Sequence, residues 1–120
     1  TGYVQMSEEP ADFWTSLDEL VAAHHVMIDR PKGTAHPRYK DMIYPVDYGY
    51  LEGTRAMDGG GIDVWVGEGG IGKIQGLLCS LDIVKHDAEI KLLCGCSAEE
   101  VKLIEEFMKQ HCMQVLVVMR

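Results

Sequence analysis

Asp58 and Asp63 bracket the run Gly59-Gly60-Gly61-Ile62, just ahead of the apolar stretch Val64-Trp65-Val66. Glycine lets backbone turn sharply enough for two such carboxylates to converge. Carboxylate oxygens suit hard divalent cations, magnesium or manganese, which keep several waters and complete their shells with phosphate. Tyr44, Tyr48 and Tyr50 share one parity. An extended segment therefore presents all three on one face, and a phenol donates readily to a phosphate oxygen. Lys32, Arg38 and Lys91 fall in neighbouring strands or turns and supply the positive charge that phosphoryl transfer needs. Each feature alone has an ordinary reading, since Asp-Gly runs make turns and tyrosine stripes rim cores. Their combination points to a metal–phosphate site.

The elements that must position these groups follow from periodicity. Ser16, with Glu19 three residues on, has the reciprocal capping pattern of a helix start, and Leu17, Leu20 and Val21 give that helix one apolar face. His25–Arg30 reads as a strand stopped at Pro31, and the turn 32–37 feeds residues 38–45 to make a hairpin. The stretches 62–67, 73–85 and 88–95 alternate apolar residues or are rich in β-branched ones, and read as strands. Ser97 and Glu100 repeat the capping box before a second helix whose apolar face is Val101, Leu103, Ile104, Phe107 and Met108. Residues 113–120 close the chain as a last strand in the same sheet. Short strands without intervening helices predict a mainly β fold with α: a small antiparallel sheet or barrel with helices packed outside.

A chain of 120 residues fits one domain, residues 1–120, with the first six read as a frayed end or an appended remnant. The balance of 11 basic against 19 acidic residues, net −8, disfavours nucleic acid, although aromatic residues on a barrel would otherwise suit a single strand. A small phosphate compound arriving with a divalent cation is not excluded. No run of about 18 apolar residues offers a membrane span, and the start lacks the basic-then-apolar order of a secretory signal, so a cytoplasmic protein is expected.

Cys79, Cys94, Cys96 and Cys112 lack the spacing of a disulfide framework and read as reduced thiols. Cys94-Gly-Cys96 leaves one residue between sulfurs, where zinc sites leave about two to four, so buried core thiols are expected. His24, His25, His36, His86 and His111 form no zinc-binding pair and read as surface residues. Asp41 and Asp47 are expected to face solvent, Glu99, Glu105 and Glu106 to form a solvated helix face, and Trp14 and Trp65 to lie in the core or at a subunit interface.

The stretch YPVDYGYLEGT followed by DGGGIDVWV resembles the central signature of soluble, magnesium-dependent family I inorganic pyrophosphatases. In that family a Tyr-Pro-x-x-Tyr-Gly-Tyr run precedes Asp-x-Asp-Pro-x-Asp. The similarity is specific over residues 26–67 and weaker to residue 91. It implies a five-stranded, oligonucleotide-fold-like barrel with flanking helices, magnesium cofactors (manganese as a substitute), hydrolysis of diphosphate to two phosphates, and a homo-oligomer. It also implies metal contact for Asp58 and Asp63, with Asp29, Glu89 and Asp87 in supporting positions. Tyr48 and Lys91 take phosphate-contacting roles, joined by Lys32 and Arg38, and Tyr44 begins the tyrosine run. Asp58, Asp63, Tyr48 and Lys91 form the expected catalytic group.

The departures are informative too. Gly60 stands where the middle, metal-bridging aspartate of the signature belongs, Gly61 replaces its proline, and Gln110-His111 replaces a Tyr-Lys pair. Two outcomes are therefore expected of such a chain: an impaired pyrophosphatase-like phosphohydrolase, or a catalytically silent phosphate- or metal-binding protein on the same barrel.

Overall fold

A computed structural model of the protein describes the backbone of residues 9–111 and 113–120, and side chains from Asp12 onward. The expected frayed end and Cys112 lie outside the described residues. Two helices, α1 (Glu9–Ala22) and α2 (Ala98–Gln110), flank six strands: β1 (Val26–Arg30), β2 (Asp47–Leu51), β3 (Ile62–Val66), β4 (Ile74–Asp82), β5 (Asp87–Cys94) and β6 (Met113–Met119). They form one sheet in the order β1-β2-β3-β5-β4-β6. Among the described residues the sheet is open, with β1 and β6 as its edges. Every pairing is antiparallel except β3 with β5, which corrects the all-antiparallel expectation. The parallel pair arises because β4 runs outside and the β4–β5 hairpin returns β5 between β4 and β3. Asp82 Oδ1 accepts the N–H groups of Val84 and Lys85 to cap that hairpin, and His86 closes it in the left-handed region at φ 59°.

Directly paired residues share a face, so the register defines two layers of side chains. Tyr48, Trp65 and Leu93 lie in one row of the first face, and Tyr50, Asp63, Lys91 and Leu78 in the next. The second face carries Leu51, Val64, Val66, Leu77, Leu92 and Cys94. Both are covered: α2 packs Val101, Ile104, Phe107 and Met108 on the first, and α1 brings Trp14, Leu17 and Val21 to the second. β3 is therefore apolar almost throughout, as a strand buried on both sides must be. Each fully buried aliphatic residue in these layers contributes about 2 kcal/mol.

The capping box of α2 forms as the sequence implies, with Ser97 accepting from the Glu100 N–H and the Glu100 carboxylate accepting from the Ser97 N–H. The start of α1 does not. The helix begins at Glu9, about two turns before Ser16, which sits exposed within it. Trp14 extends the Leu17–Val21 stripe toward the N-terminus, and Pro10 is tolerated in a first turn, so the apolar face outweighs the internal capping pattern.

The expected hairpin over residues 26–45 is also corrected. β1 pairs with β2 instead, and the intervening loop closes on itself through a single Ala35–Ile43 bridge and bonds such as Gly33 N–H to the Tyr44 carbonyl at 2.8 Å. Pro37 and Pro45 lack the N–H groups a second arm would need, while Tyr44 and Val46 are drawn into the core beneath α2.

Candidate functional site

The row Tyr50–Asp63–Lys91 emerges where the apolar layer under α2 ends, and a polar cleft of about 400 Å³ opens there. Lys91 is its centre. The side chain is buried, and Nζ donates to Tyr48 Oη at 2.7 Å, Glu89 Oε2 at 3.0 Å and Asp63 Oδ2 at 3.1 Å. Strand geometry explains the set. Asp63 pairs directly with Lys91 across β3 and β5, and Glu89 lies two residues back on the same face. Burial, the largest influence on Lys91, works against its charge, but the oxygens of Tyr48, Asp63 and Glu89 outweigh it and hold the ammonium above the usual lysine range. Burial likewise pushes the Tyr48 hydroxyl above the ordinary tyrosine range. Lys91 opposes that shift and Asp63 adds to it. At neutral pH Tyr48 is a phenol that accepts from Lys91, with the Asp63 carboxylate beside it to take its proton.

β1 supplies the opposite wall. Its ladder with β2 slips between Ile28 and Arg30, leaving Asp29 as an extra residue, and this bulge lets the consecutive side chains Asp29 and Arg30 both line the cleft. Gly49 permits the close approach, because a Cβ there would land on the Met27 carbonyl. Arg30 Nη1 donates to Tyr44 Oη at 3.3 Å, and its guanidinium lies 5.8 Å from the centre of that ring. Tyr44 stacks on Tyr48 at 5.6 Å, so the tyrosines form a continuous shelf from Arg30 to Lys91.

The Asp58 loop is the third wall. Ala56 N–H bonds the Gly60 carbonyl at 2.7 Å, Thr54 Oγ1 accepts from Ile62 N–H, and Asp58 Oδ1 accepts the Gly60 N–H at 3.0 Å. The three glycines have different reasons. Gly59 adopts φ 91°, and a Cβ on Gly61 would press on the Tyr50 ring at 2.8 Å. Gly60 has neither constraint: its φ is not positive, and the nearest group to a Cβ is Asp58 Oδ1 at 3.5 Å.

Six expected site residues thus meet in one cleft: Asp29, Tyr48, Asp58, Asp63, Glu89 and Lys91. Three do not. Lys32 points to Glu68, 3.7 Å away at the surface, while its N–H is held by Asp47. Arg38 is exposed on the loop, its N–H bonded to His36 Nδ1. The shortened loop after Pro31 carries both cations away from the tyrosine face. Asp87 lines an adjoining, mostly apolar cleft of about 550 Å³, which shares Asp58 and Glu89 with the first. Arg30 and His36, the latter read as a surface residue, take the cationic and polar places instead. Burial, then Arg30 and Arg38, hold His36 below the ordinary histidine range, so it is neutral at pH 7. Arg30 adjoins Asp29 in the sequence, but only the bulge turns both the same way.

All the acidic donors are oxygens, which fits magnesium or manganese chemically. No group of three or more His, Cys, Asp or Glu among the described residues is arranged to hold a metal, and the Lys91 ammonium sits between Asp63 and Glu89, the pair best placed to share one. The donor set fits a cation brought in with phosphate, which needs only one or two carboxylates, and does not fit a resident metal cluster. Four carboxylates against Arg30 and Lys91 leave the cleft net negative, which favours such a cation.

Cys94 and Cys96 are buried core thiols, as expected, and burial pushes the Cys96 thiol up to about 11. Trp65 is also core, with 1% exposure, so it offers no subunit interface. No helix among the described residues is long and apolar enough to cross a membrane. Neither protein-family models nor characterised protein sequences give a match to this chain.

Proposed function

We propose that the cleft binds diphosphate, or a small related phosphate compound, together with magnesium, and that the protein is a pyrophosphatase-like phosphohydrolase of low turnover acting in the cytoplasm. One observation carries this reading: the donors Arg30 and Tyr48 and the positive charge of Lys91 stand in a row beside four carboxylates, Asp29, Asp58, Asp63 and Glu89. A phosphate-only site has no use for the carboxylates, and a metal-only site has none for the donors. The strand order, non-sequential with one parallel pair, also supports a partly open form of the oligonucleotide-fold-like barrel.

In this reading Arg30 presents a planar fork to phosphate oxygens, pre-oriented by Tyr44, and Tyr48 turns its proton from Asp63 to another. Lys91 offsets half of the charge of Asp63 and Glu89, which eases the approach of an anion. Asp58 and Asp63 would hold the cation, with Asp29 and Glu89 assisting. When bound, magnesium neutralises the phosphates and makes a water more acidic. The position that would support that water is Gly60, which has no side chain to offer.

The second reading, a silent phosphate- or metal-binding protein, is favoured by the same glycine and by the engagement of Asp58 in its own turn. Phosphate release from diphosphate, with and without magnesium, separates them. Magnesium-dependent release that Asp63→Asn removes supports the hydrolase. Diphosphate that binds without being cleaved transfers the conclusion to the silent protein.

A further inference from the structure

The two edges of the sheet are built differently. β1 carries a bulge, the charges of Asp29 and Arg30, and Pro31 immediately after it, all devices that stop an edge strand from recruiting another. β6 has none of them: Met113-Gln114-Val115-Leu116-Val117-Val118-Met119 is uncharged, lacks proline, and pairs with β4 in unbroken register. Arg120 N–H bonds the Gln75 carbonyl at 2.9 Å. By the alternation of an antiparallel ladder, Leu116 and Val118 direct their backbone groups to β4, while Val115 and Val117 direct theirs outward. Among the described residues no strand pairs with that outer side. On the face shared with α1, Leu116 is 64% exposed, beside Val118 and close to the exposed Ile90.

We propose that β6 pairs with β6 of a second copy, antiparallel about a two-fold axis through Leu116, to give one continuous twelve-stranded sheet. The strand is self-complementary in that register. Met113 then faces Met119, and Val115 meets Val117 as a hydrogen-bonded pair made from the outward groups of both chains. Leu116 faces its own counterpart, closing the apolar surface over the seam. A chain of net charge −8 repels its copies over most of its surface, and this uncharged seven-residue edge lets two of them meet without opposing like charges. The pairing is independent of the chemistry assigned to the cleft.

Light scattering at tens of micromolar protein is expected to give the mass of two chains. Leu116→Lys and Leu116→Glu should each give one-chain mass, because the register sets identical charges directly opposite each other. Mixing the two variants should restore the two-chain mass. Val117→Pro removes an outward N–H without touching the β4 ladder, and should also give a monomer with an unchanged circular dichroism spectrum. One-chain mass for the wild type overturns the proposal. Two-chain mass for both folded Leu116 variants overturns it as well.

Discussion

Lys91 and Gly60 govern the cleft at the scale of single residues. An ammonium held by two carboxylates and a phenol is a buried ion pair, in which removing one partner costs about 3 kcal/mol because the remaining charges lose their counterion. Lys91→Met should therefore lower stability by roughly that amount in chemical denaturation. It should also free Asp63 and Glu89 for a cation, so manganese affinity measured without phosphate should rise while diphosphate affinity falls. A fall in both would mean that the carboxylates do not face a common cation position. Gly60→Asp is the complementary change. Its φ and surroundings accept a side chain, so stability should move by no more than about 0.5 kcal/mol. Magnesium affinity and phosphate release should each increase by about tenfold or more, the usual scale for one well-placed catalytic group. A folded variant with no gain in either would show that the cleft lacks more than one ligand.

At the scale of elements, α1 is fastened by a contact the sequence does not advertise. Asp18 accepts from Ile74 N–H at 2.9 Å and from Arg120 Nη1 at 2.8 Å, joining the helix to β4 and to the end of β6 across 102 residues of chain. The Ile74 N–H above all, aided by Arg120, holds its carboxyl below the ordinary value of 3.8. A depressed pKa means that the folded protein binds the proton less tightly than the unfolded chain does. The contribution is thus complete above about pH 4 and fades as pH falls through the folded value. Asp18→Asn should lower the thermal midpoint at pH 7 and reduce the difference from wild type below pH 4. An unchanged midpoint would show that α1 is held by Trp14, Leu17 and Val21 alone. Local elements were legible where a short-range pattern decides them. β1, β3, β4, β5, β6 and α2 follow from alternation, β-branched runs and one capping box, and the shared parity of Tyr48 and Tyr50 is that of β2. What was not legible depends on distant partners: α1 is extended by the sheet it covers, and the β1 bulge exists only against β2. The cleft follows the same division. Asp63, Glu89 and Lys91 could be read from spacing and resemblance, whereas Arg30 replacing Arg38 could not, because nothing in a sequence window reveals which way a bulge turns its residues.

For the whole molecule, the fold gathers negative charge at one end of an apolar layer and then offsets only part of it. Under the proposed function, net charge −8 over the surface disfavours a diphosphate without a cation and favours the same anion neutralised by magnesium. Affinity should accordingly depend on magnesium more steeply than on ionic strength, since Arg30, Tyr48, Asp63, Glu89 and Lys91 lie half or fully buried, where salt screens weakly, and only Asp29 and Asp58 are exposed. Calorimetric titration of diphosphate into the protein, with and without magnesium, tests this most directly. A single binding event that requires magnesium, and that weakens about tenfold or more in Arg30→Ala and in Asp63→Asn, is the predicted result, each loss being that of one charge-assisted contact. Binding that is indifferent to magnesium and to both substitutions, or no binding at millimolar diphosphate, would contradict it.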